Sequence, residues 1–302
     1  MAKEVTPEQI AQIDEMVARA HTALDIIATY DQQRVDRLCQ AVAAAVCDMK
    51  VWAPICDEAV DETSLGDKVT KRNKRNKIKL ILRDCLRQPS VGIIEENPAK
   101  GLVKYAKPAG VIASLVPTTN PCLTPAGQIV YAIKARDVMI CSPHPRAKVV
   151  TNKIIDIIRA TLVREGAPAD IIQGIKDPSI NLTKVLMERC DLVIATGGRP
   201  MVKSAYSSGT PAYGSGAGNA TVIIDDTCNT PERQKEAAEN TRISKTSDFG
   251  SGCSCDGNLV IHESIYDDFV KALVAEGAYL ANEEEAEKTA GTFASLFGFE
   301  KK

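Results

Sequence analysis

From residue 110 onward, short unbroken apolar runs alternate with amphipathic helical stretches, and this alternation limits the fold more than any other feature of the chain. The runs are GVIASLVP (110–117), DVMIC (137–141), ADIIQGI (169–175), DLVIAT (191–196) and ATVIIDD (220–226). Between them lie segments such as KVVTNKIIDIIRATLVREG, whose apolar residues recur at helical spacing. A strand with one wet face alternates apolar and polar residues; an unbroken run means that both faces are buried. The pattern predicts an α/β fold with a doubly wound, Rossmann-like parallel sheet, its strands drawn from residues 110–226. Sheets of this kind bind ligands at the carboxyl ends of their strands.

The preceding region, residues 6–90, reads as helices. Thr6-Pro7-Glu8-Gln9 is a capping-box start with proline at the first helical position, and Ile10, Ile13, Met16 and Val17 follow at helical spacing. The basic run KVTKRNKRNKIKLILRDCLRQP (68–89) reads as a solvated helix face. Gly250-Ser251-Gly252 marks a change of chain direction, which divides the chain into 1–249 and 250–302.

Net charge is −2 and the isoelectric point is near 6.0, so no general electrostatic attraction to nucleic acid or anionic membrane is expected. No apolar run reaches the length of a membrane span, and the first residues, MAKEVTPEQIAQIDEM, are polar and acidic, unlike a secretory signal. Of the 10 cysteines, Cys39, Cys47, Cys56, Cys85, Cys141 and Cys190 sit in or beside apolar stretches, where a thiol behaves as a small hydrophobe. A reducing cytoplasm is expected, without a disulfide framework. None of the three histidines is spaced with cysteines as a zinc site requires, so no metal is expected.

Three punctuated loops follow strand candidates: PTTNP (117–121), SPHPRA (142–147) and ATGGRP (195–200). The diglycine of the last would let backbone N–H groups approach a phosphate, although a diglycine after a strand is also simply a turn. The stretch KTSDFGSGCSCDGNLVI (245–261) raises a separate question, because Cys253 and Cys255 point to one side if the segment is a regular strand. A shared metal lacks further ligands nearby, and a disulfide would close a very tight ring. Spacing alone leaves a nucleophile in a roomy glycine-serine loop and a glycine-rich hinge with incidental thiols equally open.

Four stretches taken in order, GVIASLVPTTNP, CSPHPRAKVVTNK, LVIATGGRPMVKSAYSSGTPAYGSGAGN and SKTSDFGSGCS, resemble the CoA-acylating branch of the aldehyde dehydrogenase superfamily. The resemblance covers roughly residues 5–280. It implies that Cys253 is the nucleophile and that Asn120, with the Cys253 backbone N–H, holds the oxyanion. It implies NAD as cofactor and coenzyme A as co-substrate. Ser142, Pro143 and His144 would lie beside the adenosine ribose, Thr196, Gly197 and Gly198 near the pyrophosphate, and Gly216 and Ala217 near the nicotinamide. For His144 the plainer alternative is a surface loop histidine. In place of the glutamate by which hydrolytic relatives activate water, the corresponding stretch Ser215-Gly216-Ala217-Gly218-Asn219 offers Ser215.

The departure from the family is at the end. After Cys253 the sequence predicts one strand (258–261) and one helix (263 to about 285), then TAGTFASLFGFEKK, which does not align. The catalytic domain is therefore expected to be incomplete. The implied reaction is oxidation of a short aldehyde to acyl-CoA in the cytoplasm or a bacterial microcompartment, by a full-length family member that forms a homo-oligomer. Sulfoacetaldehyde is the favoured substrate, because Ser251, Gly252 and Ser254 leave space for an anionic headgroup. These 302 residues by themselves are expected to retain at most weak NAD binding and little or no acylating activity, and the alternative reading is a truncated, non-catalytic nucleotide-binding or assembly subunit.

Overall fold

The computed structural model describes residues 5–216 and 218–297. Five helices come first: α1 (Pro7–Ile27), α2 (Gln32–Cys47), α3 (Met49–Thr63), α4 (Lys68–Asn73) and α5 (Arg75–Leu86). The expected capping box is present, with Gln9 N–H donating to Thr6 Oγ1 at 3.3 Å and Thr6 N–H donating to Gln9 Oε1 at 3.1 Å. The buried face of α1, Ile13, Met16, Ala20, Ala23 and Ile27, repeats at three- and four-residue steps. An antiparallel ribbon of β1 (Gly92–Asn97) and β2 (Leu102–Ala106) follows.

Strands and helices then alternate: β3 (Val111–Val116), α6 (Leu123–Ala135), β4 (Val138–Pro143), α7 (Lys148–Arg164), β5 (Ile172–Gly174), α8 (Ile180–Arg189), β6 (Leu192–Thr196), α9 (Arg199–Tyr206) and β7 (Ala212–Ser215). All pair in parallel in the order β5-β4-β3-β6-β7. The chain thus winds outward from β3 to β5, then outward the other way through β6 and β7, and the reversal falls between β3 and β6. Every residue of β3 and β4 is buried, because helices cover the sheet: α6 and α7 pack on β3 and β4 with α2 laid over both helices, and α1 packs on β3 and β4 and pairs with α8. Gln173 of β5 ties α1 down by donating to the Met16 carbonyl at 2.8 Å and accepting from Arg19 at 2.9 Å. The fold is the α/β, doubly wound one with leading helices. Among the described residues no single helix is long and apolar enough to cross a membrane.

Two expectations need correction. ATVIIDD does form a strand, β8 (Ala220–Ile224), but it pairs in parallel with a later strand in a separate two-stranded sheet, joined by α10 (Pro231–Thr246) to β9 (Asp256–Ile261). The large sheet takes β7 instead, whose AYGS sequence carries no branched apolar residue to announce it. The single helix expected from residue 263 is two, α11 (Tyr266–Ala275) and α12 (Glu283–Phe297), with Gly277 between them at φ 98°. By compactness the chain forms two units, Met1–Gly218 and Asn219–Lys302. In the second unit β8 finds its strand partner in β9 and shares a small core of Ile224, Ala238, Ile265 and Phe269 with α10 and α11.

Candidate active site

In the first unit four loops leave the carboxyl ends of the sheet strands, and Asn120, Ser142 to His144, Thr196 to Gly198 and Gly216 lie on or next to them. Strand register brings the ends level, with Val116 opposite Pro143, Leu115 opposite Ala195 and Thr196 opposite Ser215. Ala217 lies outside the described residues. The strand order reverses between β3 and β6, and this end of the reversal is the usual ligand position in such sheets.

The loop after β3 is tied from several sides. The Asn120 carbonyl accepts from the Thr124 N–H at 3.0 Å, and the Pro121 carbonyl accepts from Thr151 Oγ1 at 3.3 Å. From α4 and its end come two lysines that sequence reasoning missed: Lys71 Nζ donates to the Thr119 carbonyl at 3.2 Å, and Lys74 Nζ to Asn120 Oδ1 at 2.7 Å. Lys71 is only 3% exposed, which corrects the solvated-face reading for that part of the basic run. A long side chain can bury its stem and still deliver its ammonium to a carbonyl, and a charge run read from sequence hides that.

After β4, the Ser142 hydroxyl is buried and shares a 2.7 Å hydrogen bond with Thr183 Oγ1 of α8. His144 Nδ1 accepts from the Arg146 N–H at 3.2 Å and so caps the next turn, which leaves Nε2 as the ring's other polar atom. Partial burial and the nearby Arg146 charge hold its imidazole below the usual range.

After β6 the two glycines are not demanded by the fold. A β-carbon at Gly197 would meet Met201 at 3.5 Å, and one at Gly198 would meet Pro200 at 3.7 Å, ordinary contacts in both cases. Gly198 has φ −68°, open to any residue, and no side chain caps α9. Bare backbone at an uncapped helix start suits the approach of a phosphate. Gly214 is the opposite case, since a β-carbon there would lie 2.6 Å from Val202 Cγ1 and 2.8 Å from the Tyr206 ring.

In the second unit Cys253 is exposed and lies in a turn, not a strand; β9 begins only at Asp256. The alternation that would align Cys253 with Cys255 therefore does not apply. Asp248, Phe249 and Gly250 are three successive residues at positive φ (54°, 53° and 69°), which turns the chain sharply just ahead of the thiol. The turn is fastened by Ser251 Oγ donating to the Asp248 carbonyl at 2.7 Å and by Ser244 Oγ donating to Asp256 Oδ1 at 2.7 Å. Cys255 Sγ contacts the Gly250 carbonyl at 3.5 Å and is less exposed than Cys253.

Known proteins resemble the chain along nearly its whole length. The profile of the aldehyde dehydrogenase family matches residues 3–295. A sulfoacetaldehyde dehydrogenase of an Acholeplasma species is 42% identical over 271 residues, 89% of this chain and 55% of that protein. Among solved structures, an acetylating aldehyde dehydrogenase from Geobacillus thermoglucosidasius is 32% identical with a TM-score of 0.86, over 94% of this chain and 62% of that one. A Rhodopseudomonas palustris propionaldehyde dehydrogenase with bound propionyl-CoA is 26% identical with a TM-score of 0.78, over 90% of this chain and 59% of that one. The chain spans 55–62% of the length of these relatives.

Proposed function

The chain belongs to the aldehyde dehydrogenase family and groups with its acylating members, and from that premise we propose that it serves the NAD-dependent, CoA-acylating oxidation of a short aldehyde. What supports the reading above all is that Asn120, His144, Gly197 and Gly216 share one end of one parallel sheet.

In this reading the Cys253 thiolate attacks the aldehyde carbon, a C–S bond forms, and the carbonyl oxygen takes on negative charge. Asn120 donates a side-chain N–H to that oxygen, together with the Cys253 backbone N–H. Thr196, Gly197 and Gly198 would hold the pyrophosphate of NAD, Ser142, Pro143 and His144 would flank its ribose, and Gly216 and Ala217 would border its nicotinamide. Ser142 contributes there through its backbone, since its hydroxyl is engaged by Thr183. NAD, when bound, supplies the acceptor for the hydride removed from the substrate carbon. A thioester on Cys253 remains. The thiol of CoA then attacks its carbonyl, the bond to Cys253 breaks, and acyl-CoA leaves. Ser215 stands where hydrolytic relatives have a carboxylate base, and a hydroxyl cannot take that proton near neutral pH. Attack by water is slow and attack by a thiol is favoured.

Sulfoacetaldehyde is the substrate we favour, on the strength of the small polar Ser251, Gly252 and Ser254 around the nucleophile and the identity to a sulfoacetaldehyde dehydrogenase. A second reading is a nucleotide-binding subunit without turnover, supported by the nucleotide-side loops of the first unit lying together at one end of its parallel sheet. One experiment separates them: NADH formation by the 302-residue chain with NAD, CoA and, in turn, sulfoacetaldehyde, acetaldehyde and propionaldehyde. CoA-dependent NADH above the Cys253→Ser background, fastest with sulfoacetaldehyde, supports the proposal. Calorimetric NAD binding without turnover supports the second reading, and a clear preference for propionaldehyde defeats the substrate assignment.

A further inference from the structure

A carboxamide has two ends of nearly equal shape, one an acceptor and one a donor, and only its neighbours decide which faces a ligand. For Asn120 the deciding neighbour is Lys74. An ammonium carries donors and no acceptor, so it pairs with Oδ1; turning the amide over would set NH2 against NH3⁺. The observed Nζ–Oδ1 distance is 2.7 Å, in the range of a charge-assisted bond. The NH2 end makes one long contact, 3.5 Å, to Thr119 Oγ1. Electron density drawn toward Oδ1 also makes the Nδ2–H groups stronger donors.

Lys74 is held where it can do this. It sits at the junction of α4 and α5, and α4 is clamped to α3: the Arg72 guanidinium grips Asp57 through two hydrogen bonds, one of them 2.7 Å, and the Arg72 carbonyl accepts from the Trp52 indole at 2.8 Å. That pairing holds the Asp57 carboxyl below the usual range. One turn before Lys74, Lys71 fixes the backbone of the same loop through the Thr119 carbonyl. One lysine thus fastens the loop and the other orients its side chain.

We propose that Lys74 is a positioning residue for Asn120, holding its amide oxygen so that the NH2 end is presented as the hydrogen-bond donor. The inference rests on the reading of Asn120 as an oxyanion donor. Its test uses ¹⁵N–¹H spectra of the full 302-residue chain, with the Asn120 side-chain amide pair identified by its loss in Asn120→Ala. The pair should shift or broaden in Lys74→Met and Lys74→Gln, and return toward its original position in Lys74→Arg, which also offers only donors. An unchanged pair in a folded Lys74→Met chain overturns the proposal. Should that variant not fold, a crystal structure of the unsubstituted chain decides: Nζ beyond about 3.5 Å from Oδ1 also overturns it. Failure of the underlying reading looks different, because the amide pair would then respond to Lys74 while Asn120→Ala left CoA-dependent NADH formation intact.

Discussion

Asp137 accepts the amide hydrogen of Gly110 at 2.9 Å, so a buried carboxyl pins the start of β3 at the end of the sheet away from the candidate site. Burial raises the Asp137 pKa to about 6, against the downward pull of the Gly110 and Ala109 amides. The folded chain therefore holds this proton more tightly than the unfolded chain, whose value is near 3.8. The stability it contributes is complete below that value and is lost as the pH rises through about 6. Over that window urea unfolding should lose on the order of 2–3 kcal/mol relative to Asp137→Asn, which cannot titrate. Parallel pH profiles for the two proteins would contradict this.

Gly110 itself admits no side chain. Its φ is 124°, and a β-carbon there would lie 2.2 Å from Asp191 Oδ2. Gly110→Ala should cost about 2–4 kcal/mol, seen as a lower urea midpoint with an unchanged m-value.

Cys253 is exposed, whereas Cys39, Cys141 and Cys190 are buried with their thiols pushed up to about 12. Limiting iodoacetamide should therefore label Cys253 first, as read by peptide mass spectrometry. In a full-length version Cys253→Ser should abolish CoA-dependent NADH formation, and Cys255→Ser should retain a measurable share. Equal loss in two folded variants would erase the distinction between nucleophile and neighbour.

Asn120→Ala should lower that rate by about 100- to 1000-fold, the usual cost of one oxyanion donor. A fall of less than tenfold would remove Asn120 from the chemistry.

The glycines around α9 should separate by role. Gly197→Ala and Gly198→Ala should melt within a few degrees of the parent and weaken NAD binding by calorimetry, because their β-carbons have room and only a ligand needs the bare backbone. Gly214→Ala should lower the melting temperature clearly, since its β-carbon meets Val202 and Tyr206. Unweakened NAD binding in both loop variants would argue against a pyrophosphate at this turn.

Sequence made some of this legible and not the rest, for identifiable reasons. Val111–Val116 and Val138–Pro143 could be read as doubly buried strands because burial on both faces leaves an unbroken apolar run. Ala220–Ile224 has the same unbroken apolar run, yet its burial alternates along the strand, with Ile223 exposed, and the run says nothing of its partner, so its pairing with β9 was hidden. β7 was invisible because AYGS has no branched apolar residue and meets Val202 and Tyr206 of α9 at Gly214. Asn120 was legible as part of a motif, but its partner Lys74 stands 46 residues away in a stretch that looks like solvated charge.

The central position of β3 also has a consequence for how the chain is made. Ile112 pairs with Met139 on one side, 27 residues downstream, and with Leu192 on the other, 80 residues downstream. One flank of the strand can close as soon as β4 leaves the ribosome. The other waits while 53 further residues are translated, on the order of 3–10 s at about 5–20 residues per second. During that interval a strand fully buried in the finished protein has an open edge of the kind chaperones shield. Nascent chains arrested just short of Leu192 should exchange the β3 amide hydrogens quickly, and chains arrested well after Ser215 should protect them.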